Sequence, residues 1–256
     1  MSPHITDLLS SSLPEDRTAQ LFHDIHSGLI ASSRHITEPN FRKIHPDDLQ
    51  WLFDRYDALF FHGALREALN GRRLRFRLAP RMSKAAGQTA RFVNRAGDRS
   101  FEIAIAISLL FDGFGDDHRT VAACGLECRS RLEALQRIFE HELVHLAEFL
   151  AWSASNCRAE RFQRIARGFF HHQAHTHALI TRRERAAASG IGVGALVTFV
   201  FEGRRFTGRV NRITKRATVL VEDPAGRLFS DGLRYSTYYV PISWLRPAGE
   251  RAAAGA

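Results

Sequence analysis

Cysteine is scarce in this chain: only Cys124, Cys128 and Cys157 occur among 256 residues. An odd, sparse set argues against a disulfide framework and fits a reducing compartment. Long apolar runs are missing as well. The longest, such as Phe101–Phe111, fall short of the about 20 residues that a membrane-spanning helix needs. Met1–Asp7 has neither the basic start nor the apolar stretch of a secretory signal. The expectation is a cytoplasmic protein without membrane contact. No internal repeat is present, and low complexity is confined to the Ala-rich end at 249–256, read as a disordered tail. Acidic residues are short in one region only. Residues 1–156 carry 19 Lys/Arg against 20 Asp/Glu, whereas residues 157–248 carry 16 against 6. The formal excess of +9 therefore lies entirely beyond residue 156. Such asymmetry points to a polyanionic partner, nucleic acid first, and to a place at the nucleoid; a basic surface that only keeps the chain soluble is the plainer alternative.

Composition shifts divide the chain. Residues 1–44 are polar and Ser-rich, with a short helical stretch at Thr18–Ile30, and are expected to form a flexible arm. Order is expected from His45-Pro46-Asp47-Asp48, a helix-start signal. Leu49, Leu52, Phe53, Tyr56, Leu59 and Phe60 then follow helical spacing up to Gly63. Strands are predicted at Leu74–Leu78, Gln88–Val93 and Phe101–Ser108, with a hairpin turn across Asn94–Ser100. A long helix over about Arg129–Trp152 buries Leu132, Leu135, Phe139, Leu143, Leu146 and Leu150, and a second follows over Ala159–Phe170. Residues 181–190 read as a linker. Several short strands in 191–248 then suggest a small SH3-like or Tudor-like barrel, with turns at Gly203-Arg204 and Pro224-Ala225-Gly226.

The long helix carries His141-Glu142-Leu143-Val144-His145. Residues four apart share a helix face, so His141 and His145 can offer imidazole nitrogens to one Zn2+. Glu142 is then placed to act as general base, taking the proton of an attacking water. Burying two His and a Glu on so apolar a helix would be costly without a partner. The third ligand is open. Cys157 offers a thiolate near the start of the next helix. The rivals are His171, His172, His175 and His177. Glu148 shares the His141/His145 face and reads as a supporting or surface carboxylate. Cys124 and Cys128 read as packing residues.

Residues 46–180 resemble the SprT-like (Spartan-related) zinc metallopeptidases. The resemblance rests on Leu52-Phe53-Asp54-Arg55-Tyr56, on Phe60-Phe61-His62-Gly63-Ala64-Leu65, on Ala86-Gly87 before a strand, on the Ile103–Ser108 strand, and on the HExxH helix. Arg161-Phe162 falls where the family has an aromatic after its third His. The family's H-G-x-x-[FW] motif, which supplies that His, is absent. Here the stretch is Asn156-Cys157-Arg158-Ala159-Glu160-Arg161-Phe162, which leaves Cys157 beside the ligand position. The resemblance implies an α+β fold at 45–180, a small antiparallel sheet beside the HExxH helix. It also implies peptide-bond hydrolysis in proteins bound or crosslinked to DNA. On the same reading Phe101–Ser108 borders the cleft and could pair with an extended substrate. The family's zinc ribbon is missing, and the segment 191–248 could take over its nucleic-acid contacts. Arg204, Arg205, Arg209, Arg212, Lys215 and Arg216 crowd its first two turns, and Phe206, Tyr235, Tyr238 and Tyr239 offer stacking faces. Two other functions fit the same residues: an inactive zinc-bearing scaffold that recruits nucleic acid or protein, and a general cytoplasmic metalloprotease.

Overall fold

The structure, a computed structural model, describes residues 3–82, 85–114, 120–179 and 182–249. The chain is a mixed α+β protein dividing into two units, residues 1–179 and 180–256. No helix among the described residues is long and apolar enough to cross a membrane. The expected tail, apart from Gly249, lies outside the described residues.

The first unit begins with α1 (Pro3–Leu8) and α2 (Glu15–Ser32), which corrects the expectation of a flexible arm. Leu21, Ile25 and Leu29 on α2, then Ile36 and Phe41, are fully buried. Thr18 Oγ1 donates to the Phe169 carbonyl, and Leu13 N to that of Gly168. The polar composition is that of one exposed helix face; the apolar stripe, spaced by four, ties the segment down.

Helix α3 (Pro46–Phe60) starts where the capping signal predicts. His45 and Asp48 form a reciprocal capping box, with Pro46 in the first turn. Gly63, at φ 81°, separates it from α4 (Ala64–Leu69). The strands are β1 (Leu74–Leu78), β2 (Gly87–Val93) and β3 (Arg99–Ile105). Their order is β1–β3–β2, with β3 parallel to β1 and antiparallel to β2. The sheet is therefore mixed, not antiparallel, because the connection from β1 to its neighbour passes through β2. Since β3 is central, both its edges are used, and it cannot pair with a substrate as expected. The strand also stops at Ile105, where the chain turns into α5 (Ile107–Gly113). Among the described residues the edges without a strand partner are the outer sides of β1 and β2, and β2 is the one that touches α6 through Thr89.

A hairpin of β4 (Val121–Ala123) and β5 (Leu126–Cys128) precedes α6 (Arg131–Trp152), which Ser130 caps by accepting from Glu133 N. Sixteen residues of α6 are buried, so it forms the axis of the unit. Tyr56, Phe60, Phe61, Phe139, Phe169 and Phe170 interlock beside it with ring centroids 5.0–6.1 Å apart. Helix α7 (Glu160–Phe170) follows, and β6 (His177–Ala178) then pairs with β4.

The second unit contains α8 (Arg182–Ala188), β7 (Leu196–Phe201), β8 (Arg204–Ile213), β9 (Ala217–Leu228), β10 (Arg234–Val240) and β11 (Arg246–Pro247). Two expectations are corrected here. The linker region is helical, and Ala186 of α8 packs into the core of the sheet. The strands form an open antiparallel sheet, β10–β9–β8–β7–β11, rather than a closed barrel. The last strand has two residues, too few to bridge to β10. The predicted turn at Pro224-Ala225-Gly226 is instead an irregular excursion within β9, where register jumps between Arg234 and Tyr235. A Cβ on Gly226 would lie 2.4 Å from the Tyr235 carbonyl carbon, so only glycine fits that approach.

Candidate metal centre

The helical period puts His141 and His145 one turn apart on α6, with ring centroids 4.9 Å from each other. Phe162 of α7 packs on both rings, at 4.8 and 4.5 Å. The loop joining α6 to α7 brings Cys157 back, and His141, His145 and Cys157 hold donor atoms within 4.8 Å of one another. This group could hold a metal ion. Burial depresses His141 to about 2 and His145 to about 4, so both imidazoles are neutral, the form that ligates. The Nδ1 of His141 is buried without a partner among the described residues, a position that is costly for a polar atom.

The proton on His145 can be placed. Its Nδ1 lies 2.6 Å from Ser155 Oγ, whose hydroxyl donates to Glu148 Oε2 at 2.6 Å. The single serine proton is spent on the carboxylate, so Nδ1–H must donate to Ser155 and Nε2 keeps a free lone pair. Glu148 is fully buried and is fixed in turn by Arg161 Nε at 2.6 Å. It is thus a supporting carboxylate rather than a surface one. Ser155→Ala should weaken metal binding about 10- to 100-fold, as loss of an orienting partner does. Competition for zinc with a chromophoric chelator measures this, and unchanged affinity would remove Ser155 from the site.

Glu142 is buried on the same turn. Thr89 Oγ1 of β2 lies 2.8 Å from its Oε2 and 2.9 Å from its carbonyl oxygen. Burial raises its carboxyl to about 8, the Thr89 hydrogen bonds offsetting only part. Gly87 opens the space: a Cβ there would meet Glu142 Oε1 at 2.5 Å and Cγ at 2.8 Å. The Ala86-Gly87 pair in the sequence marks this opening.

The rival histidines divide. His171 ends α7 with φ 54°, and its Nε2 lies 3.1 Å from the Leu13 carbonyl oxygen. His172 donates from Nε2 to Glu140 Oε2 at 2.9 Å, in a buried network with Tyr56 and Arg137. His175 joins neither group of candidate ligands among the described residues. Only His177 approaches, with its ring 5.1 Å from that of His141, and it does so in a second group with Cys124. Cys124 is buried, as a packing residue is, and also belongs to this second group of possible ligands. Nothing in linear spacing announces it, because it reaches α6 through a separate hairpin. Cys157 sits outside α7, whose N-cap is Ala159, so burial pushes its thiol up where a helix N-terminus was expected to lower it.

In the second unit Arg204, Arg205, Arg209, Arg212, Lys215 and Arg216 are all exposed, but they do not form one cluster. The two turns lie at opposite ends of β8, about 25–30 Å apart at strand rise. Phe206 and Tyr238 pack with Phe199 inside, and Tyr235 donates to Asp231. The register brings another set together. Arg212, Thr218 and Tyr239 form one row across three strands, beside the row of Leu196, Arg209 and Leu220. Arg205 pairs with Val200 on the same face. Tyr239 is 68% exposed there, which leaves its ring open to stacking.

Comparison with family models, curated proteins and solved structures gave no match.

Proposed function

We propose that the chain is a SprT-like zinc metallopeptidase acting on nucleic-acid-bound proteins. What carries the reading is the buried Glu142, held in the space left by Gly87 and beside three convergent donors. His141, His145 and Cys157 would hold Zn2+. Bound there, the ion would polarise a scissile carbonyl and make an attacking water more acidic. Glu142 accepts the water proton and returns it to the leaving amine. Burial of this carboxyl raises its affinity for a proton, which favours taking one from the water. Thr89 fixes this carboxylate to β2, whose outer edge has no strand partner among the described residues. An extended substrate adding to that edge would present its peptide bonds near Glu142.

The outer face of the second unit's sheet supports the nucleic-acid side. Arg205, Arg209 and Arg212 would neutralise phosphates, and Tyr239 would stack on a base. In the full chain, Arg205→Glu, Arg209→Glu and Arg212→Glu together should weaken DNA binding for every sequence and flatten its salt dependence. Cleavage of a DNA-bound protein should fall with it, while cleavage of a free denatured protein is spared. Equal loss on both substrates would favour a general protease. DNA binding without any cleavage by the unaltered chain would favour a scaffold.

A further inference from the structure

The hairpin that carries Cys124 is held against α6 by the segment after α7. Cys124 N donates to the Thr176 carbonyl at 3.0 Å, and Gln173 N and Ala174 N donate to the Cys124 carbonyl at 2.9 and 3.0 Å. Ala123 and His177 are register partners between β4 and β6. Backbone bonds alone therefore bring the Cys124 and His177 side chains together. Cys124 also holds φ 56°, left-handed backbone that glycine or asparagine would occupy at lower cost. A buried cysteine kept there needs a reason beyond filling space.

The distances supply one. Cys124 Sγ lies 3.7 Å from His177 Nδ1. Two donors bound at about 2.0–2.3 Å to one tetrahedral ion are about 3.5 Å apart. A ring nitrogen of His141 completes a triangle in which every donor pair is within 4.8 Å. Inward movement of about 1 Å closes that triangle to tetrahedral spacing. His141 Nδ1 is buried and has no hydrogen-bond partner among the described residues, on a residue only 4% exposed.

We infer that Cys124, His177 and His141 form a second metal position for a thiophilic divalent ion such as Zn2+, an alternative to the HExxH group that draws on the same His141. A thiolate with two imidazoles selects this class over Mg2+ or Ca2+. Binding replaces the thiol proton, which leaves to solvent, with a sulfur–metal bond. The position does not depend on Glu142, His145 or Cys157, so it stands or falls apart from the peptidase reading.

The test uses full-length apo protein carrying Cys157→Ser, titrated with Co2+ alone. Cys157 is only part-buried, so this variant disturbs no core packing. The remaining thiols are Cys124 and Cys128. A thiolate-to-cobalt absorption band should persist. It should vanish when Cys124→Ala or His177→Gln is added, and survive the addition of His145→Ala. Circular dichroism checks each fold, and the part-buried His177 decides if the Cys124 variant fails to fold. No thiolate band in Cys157→Ser, or a band indifferent to His177→Gln, would overturn the second position and leave a thiol–imidazole hydrogen bond. A band lost with His145→Ala would mean one ion shared by both groups, which also overturns it. The HExxH reading is judged separately, by whether Cys124→Ala with His177→Gln keeps a Cys157-dependent band.

Discussion

Glu142→Gln should reduce hydrolysis of a denatured protein substrate by at least about 10²- to 10⁴-fold, the usual worth of a general acid–base group, while metal content stays at the native level. Gln preserves the shape that Gly87 accommodates and the acceptor that faces Thr89, so the fold has no reason to change. It cannot take a proton from water. The same loss should follow from Gly87→Ala by a different route. The added methyl would lie 2.5 Å from Oε1 and 2.9 Å from the carboxyl carbon, so the carboxylate must leave its position. His141, His145 and Cys157 are untouched in that variant. Turnover by each protein, with zinc measured on the same sample, checks the pair. Native activity in Glu142→Gln would sink the proposed mechanism, and native activity in Gly87→Ala would show that the observed carboxylate position is not the working one.

The largest stability effect should come from Glu140, one residue before the first His of the motif. Its side chain is fully buried and accepts from Tyr56, Arg137 and His172 at 2.8–3.0 Å. Burial pushes its carboxyl up, but Arg137 and the bonds from His172 and Tyr56 more than reverse this and hold it below the ordinary range. Burial works against the Arg137 charge too, and Glu140 outweighs it. The guanidinium also stacks 3.7 Å over the Phe22 ring, which leaves it little room to reach water. Glu140→Ala should therefore cost about 3–5 kcal/mol, the penalty of stranding a buried charge. Denaturant unfolding of the full chain, followed in the transition of the first unit, measures it. Glu140→Leu combined with Arg137→Met should cost less than Glu140→Ala alone, because no charge is left unpaired. A cost below about 1 kcal/mol for Glu140→Ala would mean that water reaches Arg137 and the network is not closed.

Much of the first unit could be read from the chain. The capping signal at His45–Asp48 is local chemistry and starts α3 where it should. The apolar stripe from Leu132 to Leu146 fixes both the existence of α6 and the face it buries, while Leu150, expected in the same stripe, is only part-buried. The pairing of β2 with β3 follows from two alternating segments around Asn94–Ser100. Other expectations failed because burial depends on partners distant in sequence. Residues 1–44 looked loose by composition, yet Leu21, Ile25 and Leu29 are buried and α2 packs against α3 and α6. Strand β3 looked like a cleft edge, but parallel pairing with β1 puts it at the centre. Six cations close in sequence looked like one patch, but four are spread along a strand of ten residues and two lie in the turn after it.

The sequence by itself determined the HExxH pair, the neighbouring carboxylate and the charge asymmetry, because helical periodicity and composition are properties of adjacent residues. Only the tertiary structure decided which donors join them. The loop between α6 and α7 delivers Cys157 to His141 and His145, and pairing between β4 and β6 delivers Cys124 and His177 to the other side. It also turned Ser155, Glu148 and Arg161 into a chain that sets the tautomer of His145, and opened the space at Gly87 that Glu142 fills. These are contacts between segments whose spacing along the chain carries no period. They exist only once the backbone hydrogen bonds and the core around α6 have closed.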